Sequence, residues 1–121
     1  MRISEISFTA YPVTDLARAR RFYEEVLGLK VGCVFGKSVG WVEYEIGAGT
    51  LAISNYKPEW KTATPGCMVG LEVGDLDAAA EEVKASGMGT VEGFEESAVC
   101  HMAMIKDPDG NVIVLHKRKE G

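Results

Sequence analysis

No apolar run in this 121-residue chain approaches the roughly 18 residues that a membrane-spanning helix needs, so no span is predicted. The opening Met1-Arg2-Ile3-Ser4-Glu5 has no apolar signal core, which argues against secretion. Cysteine is scarce: Cys33, Cys67 and Cys100 form an odd set without paired spacing. Such a set excludes a disulfide framework and reads as reduced thiols of a cytoplasmic protein. Cys67 and Cys100 fall in β-like stretches, where a free thiol is usually a small buried hydrophobe; a catalytic thiol is the alternative. Basic clusters are missing apart from the short Lys117-Arg118-Lys119, and the net charge is −5, so nucleic acid is not an expected partner. The acidic balance serves solubility or, less commonly, attraction of a cationic ligand. No glycine-rich loop opens a helix with the dinucleotide fingerprint, and no Ser/His/Asp order or paired-cysteine motif occurs. Histidine is rarer still, with only His101 and His116.

What the chain does have is a repeated phrase. Val13-Thr14-Asp15-Leu16 and Val73-Gly74-Asp75-Leu76 stand 60 residues apart, each after a β-like stretch and before an Ala/Glu-rich helical run. Both runs stop at a glycine, Gly28 and Gly87. A two-unit repeat means a duplicated module and not a solenoid. Asp15 and Asp75 suit the N-cap, where a carboxylate accepts the orphan amides of the first turn. Leu16, Ala19, Phe22 and Val26 recur at helical spacing, as do Leu76, Ala79, Ala80 and Val83.

Strands are predicted over Ile6 to Val13, Lys30 to Phe35, Val39 to Ile46 and Thr50 to Tyr56 in the first half. The second half offers Met68 to Val73, Thr90 to Glu95, Val99 to Ile105 and Val112 to Lys117. Asp107-Pro108-Asp109-Gly110-Asn111 supplies the turn before the last strand. A length of 121 residues, 46% hydrophobic and 26% charged, fits one globular domain over 1–121. Its modules span about 1–57 and about 67–121, joined by a linker over about 58–66. The fold class is α+β: two βαβββ modules in tandem, forming a cupped, barrel-like mixed sheet with the helices outside. The cup is the default place for a ligand.

These words resemble the vicinal oxygen chelate superfamily, which includes glyoxalase I, bleomycin- and fosfomycin-resistance proteins and extradiol dioxygenases. The matching residues are Pro12-Val13-Thr14-Asp15-Leu16, Arg21-Phe22-Tyr23, Val26-Leu27-Gly28-Leu29, Val73-Gly74-Asp75-Leu76 and Asp107-Pro108-Asp109-Gly110-Asn111, in family order along the whole chain. The resemblance implies four metal-ligand positions, one each on the first, fourth, fifth and eighth strands. Counted from the motifs they fall at Phe8, Ile53 (within Leu51 to Ser54), Met68 and Val114. None of these four carries the imidazole or carboxylate that a divalent ion wants. The expectation is a family cup whose metal site has become apolar lining, with no metal and no cofactor.

Polar chemistry then rests on few residues. If Lys106 pairs with Asn111 across the last turn, His101 and His116 become cross-strand neighbours on the cavity side. A one-residue slip separates them. Together they can hydrogen-bond a ligand or act as a general base, and Glu72 would complete a displaced two-histidine, one-carboxylate metal site. Both can equally sit at the sheet's rim. Trp41, with Glu43 and Glu45 on the same strand face, offers a stacking surface beside acidic groups; aromatics in strands also fill cores and dimer interfaces. The expected function is metal-free binding or sequestration of an apolar or cationic small molecule by a cytoplasmic homodimer, without catalysis. Its ligand contacts are Phe8, Trp41, Ile53, Met68, His101, Val114 and His116. The alternatives are a lyase, isomerase or dioxygenase with displaced metal or metal-independent chemistry, and a domain whose cup is filled by its own side chains.

Overall fold

The computed structural model describes residues 1–2, 4–61 and 67–120. In chain order these form β1 (Thr9–Pro12), α1 (Leu16–Arg21), β2 (Lys30–Gly36), β3 (Gly40–Ile46) and β4 (Gly49–Ser54). The sequence of elements then repeats as β5 (Val69–Glu72), α2 (Leu76–Ser86), β6 (Thr90–Glu96), β7 (Cys100–Lys106) and β8 (Val112–Arg118). Two four-stranded mixed sheets result, ordered β1-β4-β3-β2 and β5-β8-β7-β6. In each, the first strand pairs in parallel with the last, and the other pairs are antiparallel. This is the tandem βαβββ arrangement. The chain divides into compact units at Met1–Thr62 and Ala63–Gly121; residues 62–66 of the expected linker lie outside the described residues. Among the described residues, no helix is long and apolar enough to cross a membrane.

The repeated phrase works as a repeated joint. Asp15 accepts the amide of Arg18 and Asp75 that of Ala78, each at 3.0 Å, which satisfies a free donor of the first turn. Just before each cap the chain is tied to the parallel strand, by Val13 N–H to Ser54 O and Val73 N–H to His116 O. Gly28 and Gly87 share a φ of 68°, the left-handed conformation that ends a helix and costs glycine least. Between cap and stop the modules differ by one residue. The first absorbs it in a single π turn, Phe22–Val26, with Leu27 N–H bonded to Phe22 O at 3.0 Å.

Each helix covers one face of its own sheet. In the first module Tyr11, Val42, Tyr44, Leu51 and Ile53 share that face, all at most 4% exposed, beneath Leu16, Ala19, Phe22 and Tyr23. The Tyr23 and Tyr44 rings stack there with centroids 5.9 Å apart. In the second module Ala103, Ile105, Ile113 and Leu115 lie on the face covered by Ala80 and Val83 of α2. Burial of each large side chain contributes roughly 1.5–3 kcal/mol. Among the described residues, neither module has a helix of its own on the opposite face of its sheet.

Some expectations need revision. β1 begins at Thr9, not Ile6, because its partner β4 first pairs at Leu51 with Thr9. Cys67 is exposed, whereas Cys100 is buried as expected.

One polar network crosses the first core. The Tyr44 hydroxyl donates to Glu24 at 3.0 Å, and Arg20 closes on the same carboxylate at 2.7 Å. Burial pushes the Tyr44 phenol well above its usual value of 10.0, and the bond to Glu24 adds to the rise. Its contribution to stability is therefore complete below about pH 10 and falls as the unfolded chain's phenol ionises above that. Tyr44→Phe should cost about 1.5 kcal/mol at neutral pH. In denaturant melts the variant should also lose stability less steeply than the parent protein above about pH 10.

Candidate functional site

The first module's helix-free face is set by a tightly built hairpin. Asn55 accepts the Gly40 amide at 2.9 Å and donates to Ser38 O, while the Ser54 hydroxyl donates to Gly40 O at 2.7 Å. A Cβ on Gly40 would lie 2.0 Å from Phe35 O, so only glycine allows the strands to close there. Trp41 follows directly and turns its indole onto the helix-free face. Its ring meets Phe8 edge to face at 5.1 Å and Trp60 at 6.4 Å. Its N–H donates to the Glu43 carboxylate at 2.8 Å, which fixes the plane of the indole. Phe35, the cross-strand partner of Trp41, helps line an apolar cavity of about 470 Å³ with Val39, Trp41 and Tyr56. Phe8, Phe35, Tyr56 and Trp60 all remain about half exposed. Single exposed hydrophobes need no explanation, but a connected aromatic group marks a contact surface.

In the second module the helix-free face carries Met68, Gly70, Glu72, Met102, Met104, Val114 and His116. Glu72 and His116 are paired in register, and the His116 Nδ1 lies 2.6 Å from the Glu72 carboxylate. The other Glu72 oxygen accepts the Arg118 amide at 2.8 Å. That amide first, and His116 second, hold the Glu72 carboxyl below the usual carboxylate range, so it is ionised at neutral pH.

Two sequence expectations fail here for a physical reason. His101 and His116 are not cross-strand neighbours: Lys106 pairs with Val112, so His101 faces Lys117 and His116 faces Met102. The buried Asp107 causes the slip. Its amide bonds to Asn111 O and its carboxylate accepts the Asp109 and Asn111 amides, so Asp107 and Asn111 form the turn's base. His101 therefore lies on the helix side, 3.8 Å from Glu96, lining a separate cavity of about 600 Å³ at the start of α2. The two-histidine, one-carboxylate site is not formed.

Ile53 is the second failure. It is fully buried under α1, and Ala52 takes the helix-free position, beside Ala10 and Glu43 as Val114 is beside Gly70 and Met104. The signal was in β4 itself, where Leu51 and Ile53 alternate with the small Thr50, Ala52 and Ser54. Phe8, Trp41, Met68, Val114 and His116 do lie on helix-free faces. Phe35, missed as a site residue, follows from its hairpin register with Trp41, and Trp60, an aromatic of the same stretch of sequence, meets the Trp41 ring.

The metal positions implied by the family resemblance thus become Phe8, Ala52, Met68 and Val114. Three are hydrocarbon and one is a thioether, so none of these side chains offers the oxygen or nitrogen donor that a hard divalent cation wants. Among the described residues no cluster of three His, Cys, Asp or Glu side chains is placed to hold a metal elsewhere.

Comparison with known proteins agrees with this architecture. The chain is 28% identical to a protein of Vibrio parahaemolyticus named as a probable lactoylglutathione lyase, over 99% of this chain and 95% of the relative. The crystal structure of TnmS3, an antibiotic binding protein from Streptomyces sp. CB03234, superposes with a TM-score of 0.77 at 27% identity, covering 98% of this chain and 99% of that one. The fosfomycin resistance protein FosX of Listeria monocytogenes, 16% identical, shares the fold with a TM-score of 0.74, over 96% and 94% of the two chains. Residues 5–115 match the family model described as Glyoxalase/Bleomycin resistance protein/Dioxygenase superfamily, and the chain belongs to that superfamily.

Proposed function

We propose that this protein binds a small apolar or cationic molecule through the helix-free faces of its sheets, without a metal ion and without turning the ligand over. The observation that carries this reading is the Phe8–Trp41–Trp60 ring group, whose central indole is locked by Glu43. Half-exposed rings held at fixed angles supply contact area at little entropic cost. Glu43 and Glu45 add negative charge beside them, and no cationic side chain forms an ion pair with either among the described residues. A planar cation gains from both the ring faces and the carboxylates. The antibiotic-binding relative supports the same class of role. Metal independence is supported by the donor-poor quartet Phe8, Ala52, Met68 and Val114.

The test is equilibrium binding of proflavine, a planar aromatic cation, followed by quenching of tryptophan fluorescence. Saturable binding should survive exhaustive chelation, and added Ni²⁺, Zn²⁺ or Mn²⁺ should change the affinity by less than about twofold. Stoichiometric metal in the purified protein, or binding that needs it, defeats this reading. The same reading has the protein act as a cytoplasmic homodimer, which light scattering on the purified protein checks.

A further inference from the structure

The Glu72–His116 pair has no part in the aromatic group and stands on the other module. An ionised carboxylate only accepts hydrogen bonds, so the hydrogen between Glu72 Oε1 and His116 Nδ1 belongs to the imidazole. In the neutral ring that choice makes Nε2 an acceptor with its lone pair unused. Nε2 makes no hydrogen bond among the described residues. Glu72 is itself held by the Arg118 amide, so the ring is braced through two successive contacts. His101 has no such brace: it stands 3.8 Å from Glu96, and its side chain is 47% exposed against 28% for His116.

We propose that His116, oriented by Glu72, accepts a hydrogen bond from a weakly acidic hydroxyl, a phenol or enol, on an otherwise apolar ligand. The inference rests on the small-molecule-binding reading above. The surroundings select the ligand class. Met102 is the cross-strand neighbour of His116, and Val114, Met104 and Met68 share its face, so the rest of the ligand must be apolar. The charged groups on this face are Glu72 from β5, Glu95 from β6 beyond Met102, Arg118 two residues along β8, and the distant Lys106 of β7, which is paired with Glu92. Two carboxylates in the row of His116 repel a ligand anion. A ligand ammonium gains little from Glu72, whose two oxygens already take N–H donors. A neutral O–H donor meets neither cost, and positive charge drawn onto the ring through Nε2 would lie beside the Glu72 carboxylate.

Affinities of 4-chlorophenol, which stays un-ionised at neutral pH, 4-chloroanisole and 4-chlorobenzylamine, measured by calorimetry at neutral pH, test the proposal. The phenol should bind about tenfold tighter than its methyl ether, the scale of one hydrogen bond to a braced acceptor. His116→Phe keeps a ring but no acceptor, and should erase that preference, so that phenol and ether bind equally. Glu72→Gln, which preserves shape and frees the imidazole, should reduce the preference severalfold and serves if the first variant fails to fold. Equal binding of phenol and ether, a preference that survives His116→Phe, or tighter binding of the amine overturns this inference and leaves the binding reading standing. Failure of all three probes and of proflavine overturns both.

Discussion

Ile53→Ala should destabilise the protein by about 3–4 kcal/mol and leave the affinity of the folded fraction for proflavine unchanged. Ile53 is fully buried between Tyr11 and Val42, its register neighbours, on the face that α1 covers. Truncation removes three carbons from a packed layer that includes the stacked Tyr23 and Tyr44 rings. Rings so constrained cannot close the gap, which keeps the cost away from the low end of the range for such changes. The denaturation midpoint should fall without a change of slope, since the same surface is exposed on unfolding. A parallel variant, Ala52→Leu, adds bulk one residue away on the other side of β4, at a position that is itself fully buried, so stability and ligand affinity should both fall. If Ile53→Ala weakened binding and spared stability, the facing of β4 would be wrong.

Trp41→Ala should weaken proflavine binding roughly a hundredfold, the loss expected when a central aromatic anchor is removed. Trp41 touches both Phe8 and Trp60 and lines the cavity with Phe35 and Tyr56. Its loss takes away the stacking surface and also releases Glu43, whose hydrogen bond to the indole it no longer has. Trp41→Phe should recover part of the affinity, because area returns while the N–H does not. Tryptophan quenching then reports through Trp60, so the measurement remains possible in either variant. An affinity unchanged in Trp41→Ala would move the binding surface elsewhere.

The scaffold was far more legible than the site. Caps, stops and helical stripes are local, and Asp15, Gly28, Asp75 and Gly87 specify them within a turn of chain. Strand facing depends on register, which depends on how a loop closes. The slip at β7 and β8 shows this: a side chain of Asp107, buried and turned into its own loop, decides which residue opposes Lys106. Nothing in the alternation of either strand reveals that choice. Ile53 is a different case, since bulk alone distinguished the two sides of β4. Both modules also shift register in the strand after the helix, between Val31 and Cys33 and between Val91 and Gly93. Such bulges reverse alternation and are invisible to a period-two count.

The wide turn at Phe22–Val26 has a wider meaning for how such a doubled chain can drift. A surplus residue on one half has been taken up inside a single coil, leaving the aspartate at its entrance and the glycine at its exit in their usual roles. Length changes of this kind need not propagate into the strands beyond. On the reading proposed above, the two halves are thereby free to specialise their helix-free faces, one toward rings and the other toward a braced imidazole, while the supporting frame stays common to both.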